Sequence, residues 1–299
     1  MTKISSFSSM KDYISLATAT FYPSWPFDKS DKVRGDLAIE TLKAIKQMGL
    51  SLYISDGGSS EGFLTKISSL GYKIYTQKKG GLSAGRRQAL TQASLKKDSL
   101  AIVLFEPEKV SFIKECLIKL VQSIIESQAD MVIPKRDEES FLSYPYYQAS
   151  SERLLNSLMA SMIINALKKK GGAIPKKINE IDFLFGPKII SNKPHILDLF
   201  MDKYASKNLS DEKKFQCEVW ANALFFPLFV ALYKGSKVIS LPVSYFHPKS
   251  QTLVEKSNPL FIRKREHQFK TLLDATKELL LLLENNPKSR IKYTGRFYE

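Results

Sequence analysis

Two cysteines, Cys116 and Cys217, are all that 299 residues contain, and both lie in apolar patterns. So few exclude a disulfide framework and read as reduced core thiols of a cytoplasmic protein. The N-terminus "MTKISSFSSMKDYISLATATFYP" lacks the unbroken apolar region of a signal peptide. The longest apolar stretch, "WANALFFPLFVALY", carries a proline and falls short of the roughly 20 residues that span a bilayer. The chain has no internal repeat, low-complexity tract or obvious flexible linker. It also lacks a GxxxxGK[ST] phosphate loop and the GxGxxG dinucleotide spacing. No helix carries regularly spaced Arg and aromatic side chains, so a specific nucleic-acid partner is not expected. Acidic residues are the minority charge, 30 against 45 Lys and Arg, for a net +15.

That surplus points to a negatively charged partner: a phosphorylated metabolite, a nucleotide, nucleic acid or an acidic membrane surface. Weak peripheral membrane contact is compatible with it, as is a plain solubility role for Lys168–Lys170 and Lys213–Lys214. With 43% hydrophobic residues the chain is long enough for a large core. Strand-like runs at 13–20, 50–56, 72–76, 100–105 and 129–134 alternate with helical patterns. The clearest of these is Val110, Ile113, Leu117, Leu120, Val121 and Ile124. Such alternation predicts an α/β fold with a mostly parallel sheet, whose ligands bind at the carboxyl ends of strands. Past residue 135 the alternation fades. Helices are expected at about 144–170 and 217–234, with a strand-like "IDFLFG" between them. A strand in "KVISLPVSYFHP" and a last helix around "LLDATKELLLLLE" complete a helical C-terminal part.

Five constellations carry chemistry. "SDGGSSEG" (55–62) places Asp56 at a strand end, either to accept from a ribose or base or to close a turn that Ser59 or Ser60 continues as a helix cap. "QKKGGLSAGRRQAL" (77–90) offers Lys79, Arg86 and Arg87 at a helix start, either for phosphate or as a solvated basic end. "FEPEK" ends the fourth strand on Glu106 and Glu108. Proline biases Glu106 toward extension, and alternate residues of an extended chain point the same way. The pair suits a divalent cation bridging a diphosphate, which needs only one or two protein carboxylates, or else merely begins a helix. "SYFHPKSQ" sets His247 just past a strand, a metal ligand or an isolated histidine. "FQCEVWANALFF" puts Glu218 in an apolar helix, where a buried carboxylate caps the helix or faces a ligand.

In this order the pieces resemble glycosyltransferases of the GT-A fold. They are most similar to the retaining enzymes that make glucosyl-3-phosphoglycerate and mannosylglycerate, over roughly residues 13–250. The resemblance implies a single GT-A-like domain over 1–299, with a nucleotide-sugar donor half at 13–135 and an acceptor half with the C-terminal helix at 136–299. It implies a hexose moved from a nucleoside diphosphate sugar to a small, anionic hydroxyl acceptor, with retention. Thr18, Asp56, Lys79, Arg87 and Glu106 would bind the donor, and Glu108 and His247 would ligate Mg or Mn. Glu218 would face the sugar or acceptor as the catalytic residue. Arg136 and Tyr144 in "PKRDEESFLSYPYY" would line the acceptor site, unless that stretch is only a charged loop. Glu-Pro-Glu stands where the family has Asp-x-Asp, and the longer side chains move each oxygen outward. Two other readings are a non-catalytic sugar-nucleotide-binding protein and a nucleotidyltransferase. "TATFYPSWPF" after the first strand lacks the glycine-rich loop of the latter.

Overall fold

A computed structural model describes residues 10–77, 81–204, 208–256 and 258–285. Seven strands form one sheet in the order β3-β2-β1-β4-β6-β5-β7. They are β1 Ile14–Thr20, β2 Ser51–Asp56, β3 Ile74–Thr76, β4 Ala101–Leu104, β5 Met131–Arg136, β6 Lys188–Ser191 and β7 Val238–Val243. β6 alone runs antiparallel, to β4 and β5, and the other pairings are parallel. Strand side chains alternate between two buried cores. Ala17, Ile102, Leu104, Met131, Ile133 and Ile190 join one, and Leu16, Ala101, Val103, Val132 and Ile189 the other. Burial on both faces is why the central strand β4, AIVL, is apolar throughout and its neighbours are largely so.

Two helical expectations are refined. The pattern from Val110 opens on a π-helical turn, Phe112–Cys116, before the helix Leu117–Ser127. The stretch 217–234 divides into a second π-helical turn, Cys217–Ala221, and the helix Phe226–Lys234. Pro227 sits in the first turn of that helix, where its missing N–H costs nothing.

"IDFLFG" is not a strand, and the nearest strand is β6, starting at Lys188. Ile181, Phe183 and Phe185 are buried apolar residues at alternate positions, which is what a strand pattern looks like, although Asp182 between them is buried too. Asp182, however, accepts the Phe185 amide at 3.2 Å and folds the segment into a turn. The consequence is positional. Lys188 pairs with Leu104, so the turn before β6 arrives at the same sheet edge as the carboxyl end of β4. Residues after β4, β5 and β7 meet it there.

Candidate active site

A cleft lies over that edge, formed by two adjoining cavities of about 220 and 130 Å³. Both are lined by Arg34, Glu106, Lys109, Gln148, Lys264 and Arg265. Glu106 leaves the end of β4 and lies against Gly186 in the turn before β6. A Cβ built on Gly186 would sit 1.9–2.1 Å from the Glu106 carboxylate, so only glycine leaves room for it. Glu106 Oε2 is buried without a hydrogen-bond partner among the described residues. Lys188, fully buried on β6, donates to the Phe185 and Gly186 carbonyls and holds the turn in place. Burial pushes its ammonium down to about 8, with Asp182 and Glu106 opposing.

Glu108 points toward the helix Lys29–Gln47, where Arg34 Nη2 donates to its Oε1 at 2.5 Å. Tyr22 also bonds to this carboxylate. Burial would raise the Glu108 pKa, but Arg34 and these hydrogen bonds outweigh it and hold it below the ordinary value. Glu108 in turn raises the pKa of Arg34. Lys109 projects into a box of rings, 4.9 Å from Tyr245, 5.4 Å from Phe185 and 5.7 Å from Tyr144.

His247 is buried, stacked on Tyr144 at 4.3 Å, with Nε2 3.5 Å from Glu255 Oε2. It shares the smaller cavity with Glu106 and Glu108. The expected ligand pair Glu108 and His247 nevertheless does not build a metal centre. Among the described residues no three or more His, Cys, Asp or Glu side chains are grouped to hold an ion. Glu108 already carries Arg34, so one member of the expected pair offers a cation a carboxylate that an arginine occupies.

The other sequence candidates separate. Thr18 is fully buried and donates to the Phe105 carbonyl at 2.9 Å, tying β1 to the end of β4 and leaving no surface for a donor. Asp56 accepts from Thr20 and from Ser59 and the Gly58 and Ser59 amides, so its oxygens close the turn after β2. Ser60 caps the helix Glu61–Ser68. Lys79 lies outside the described residues. Arg87 and Glu218 do come together, as an ion pair between the helix Gly81–Ser94 and the second π-helical turn. Asn222 donates to the other Glu218 oxygen at 2.9 Å. Neither residue lines the two cavities, whereas the neighbouring Arg86 does. Replacing Arg87 with Leu leaves a largely buried carboxylate unpaired and should cost about 3 kcal/mol, read as a lower urea midpoint at constant m-value.

Tyr144 lines the larger cavity. Arg136 lines it too, with three of its five N–H donors taken: Nε and Nη2 bond Asp182 at 2.7 and 3.0 Å, and Nη1 bonds Glu152 at 2.6 Å. Held by two carboxylates, it braces the cleft floor. Sequence reasoning missed Arg34, Gly186, Lys264, Arg265 and Glu255. The glycine beside Arg34 was a signal: Gly35 costs helix stability, and a Cβ there would lie 2.6 Å from Trp25.

No family model and no curated protein sequence matches the chain. Solved structures do. Glucosyl-3-phosphoglycerate synthase from Mycobacterium tuberculosis, in complex with Mn2+, uridine diphosphate and glucosyl-3-phosphoglycerate, is similar with a TM-score of 0.51 at 10% identity. The match covers 92% of this chain and 86% of that one. The same enzyme with Mn2+, uridine diphosphate and phosphoglyceric acid gives 0.50 at 12% identity, covering 91% and 82%. The chain therefore has the GT-A, nucleotide-diphospho-sugar transferase fold. No described helix is long and apolar enough to cross a membrane.

Proposed function

We propose that this chain is a glycosyltransferase that moves a hexose from a nucleoside diphosphate sugar to a small, anionic hydroxyl acceptor, with retention. The observation that carries the reading is the cleft at the carboxyl ends of β4 and β5, where Glu106 sits among cationic side chains in a GT-A fold. The neighbours' uridine diphosphate and phosphoglyceric acid supply the substrate classes; retention follows only from the sequence resemblance to retaining enzymes. Residues 13–135 form the donor half and 136–299 the acceptor half.

Within this reading Glu106 contacts the donor sugar or ribose, while Lys109 and Arg86 face the diphosphate as it departs. Protein cations positioned before reaction stabilise charge that develops on a leaving group without reorganising. Tyr144 stacked on His247 gives the acceptor side a rigid wall. The rival reading, binding without turnover, is favoured by the Arg87–Glu218 pair, which holds the expected catalytic carboxylate away from the cavities. Incubation with UDP-, GDP- and ADP-hexoses plus 3-phosphoglycerate, followed by assay of released nucleoside diphosphate and glycosylated product, separates them. Product that disappears in Glu106→Gln is expected. Donor binding without release of nucleoside diphosphate would establish the rival reading instead.

A further inference from the structure

Six cationic side chains line the two cavities, Arg34, Arg86, Lys109, Arg136, Lys264 and Arg265, against four carboxylates, Glu106, Glu108, Glu152 and Glu255. The cleft therefore carries an excess of two positive charges before any ligand arrives. A nucleotide sugar brings a dianionic diphosphate, which that excess neutralises. A divalent cation would double the excess and place like charges side by side in a partly desolvated space, a costly arrangement.

Several independent contacts agree. Arg34 occupies Glu108, the carboxylate at the second position of the acidic pair, at 2.5 Å. The charge of Glu106 is felt by Arg86, Lys109 and Lys188 together. Lys264 and Arg265 reach over both carboxylates from the helix Pro259–Asn285. Burial, with Arg34 and Arg265 beside it, pushes the Lys264 pKa down, as expected of a cation crowded by cations.

We infer that this cleft binds its nucleoside diphosphate without a metal ion, and that Arg34, Lys109, Lys264 and Arg265 supply the positive charge instead. The inference rests on the donor reading above and deepens it. Arg34 does double service, since its guanidinium neutralises Glu108 and thereby stops that carboxylate from repelling the diphosphate. Lys264 is the most testable member: it lies at the surface with its ammonium turned toward the cleft, near the end of a long helix, so its charge changes without disturbing the core.

The test is titration calorimetry of the whole chain with UDP, GDP and ADP, each in EDTA and in excess Mn2+. For the nucleotide that binds, the dissociation constant in EDTA is expected within about twofold of that in Mn2+. Lys264→Glu should weaken binding by about tenfold or more in both media, and Lys264→Arg should restore it. The melting temperature of each ligand-free variant, expected unchanged, shows that the fold persists. Binding that collapses tenfold in EDTA overturns metal independence and leaves the donor reading standing. Metal-indifferent binding that Lys264→Glu leaves untouched overturns the assignment of the charge to this helix. Failure of all three nucleotides in both media overturns the inference and the donor reading together.

Discussion

Arg136→Met is expected to cost about 3–5 kcal/mol of folding stability, as does removal of one partner from a buried charge network generally. The side chain is 1% exposed and meets Asp182 with two donors and Glu152 with a third. It also lies 4.4 Å from the ring of Phe141 and 5.1 Å from that of Phe185. Methionine matches much of its length, so the loss is of charge and hydrogen bonds more than of volume. What remains is a pair of buried carboxylates, with Asn156 on Asp182, and with Gln148 and the more distant Arg265, 3.8 Å away, on Glu152. Urea unfolding should show a lower midpoint with an unchanged slope. Adding Asp182→Asn and Glu152→Gln should recover part of the loss, because the uncompensated charges disappear with the cation. A single variant as stable as the parent would mean that water reaches the network.

The pH dependence has a definite sign. Burial would raise the Asp182 pKa, yet Arg136 and the Asn156 amide outweigh it and hold it below the ordinary carboxylate value. Its contribution is present above the unfolded pKa and is lost as pH falls through the lowered folded one. Without Arg136, the Asn156 amide and Lys188 are left to oppose burial and the folded pKa moves up, so acidification costs the variant less stability than the parent. The stability gap between parent and Arg136→Met should accordingly narrow on acidification, which a loss through packing alone would not do.

The α/β alternation was legible because strands buried on both faces are apolar runs and helices repeat at their own period. Glu106 and Glu108 were legible as a pair at a strand end, where GT-A folds gather ligand-binding groups. Their partners were not. Glu108 meets Arg34 across 74 positions, and the turn holding Glu106 is set by Gly186 and Lys188, far along the chain. Nothing local in "FEPEK" distinguishes a carboxylate that waits for a metal from one that already holds an arginine. The misread "IDFLFG" has the same origin: its alternation is real, but one side chain, Asp182, turns the backbone by accepting from Phe185 and is itself held by Arg136. Periodicity reports burial, and tertiary hydrogen bonds decide which buried alternation becomes a strand. Lys264 and Arg265 were hidden for another reason. On a helix their charges read as a solvated face, and only the packing of Pro259–Asn285 against Tyr146–Lys169 brings them over the cleft.

In the proposed transferase, Gly186→Ala should reduce transfer about 100-fold while leaving the fold nearly as stable as before, the scale expected when a group that positions the substrate moves by about 1 Å. The added Cβ would lie 1.9–2.1 Å from the carboxylate atoms of Glu106, far inside contact distance. The obstacle is the far end of a flexible side chain, so Glu106 swings aside and the backbone need not move. The cost in stability is then about 1 kcal/mol, that of an off-rotamer side chain. Catalytic loss with stability retained is the signature of a displaced carboxylate; loss of both would indicate that the turn before β6 had itself shifted. Glu106→Gln provides the comparison, since it keeps the shape and removes the charge. If Gly186→Ala and Glu106→Gln lower the turnover number alike and their combination adds nothing further, the glycine acts through that carboxylate. Additive losses would mean that Gly186 meets the substrate through its own backbone. Full activity in Gly186→Ala would show that the position of Glu106 against this turn is not used in transfer at all.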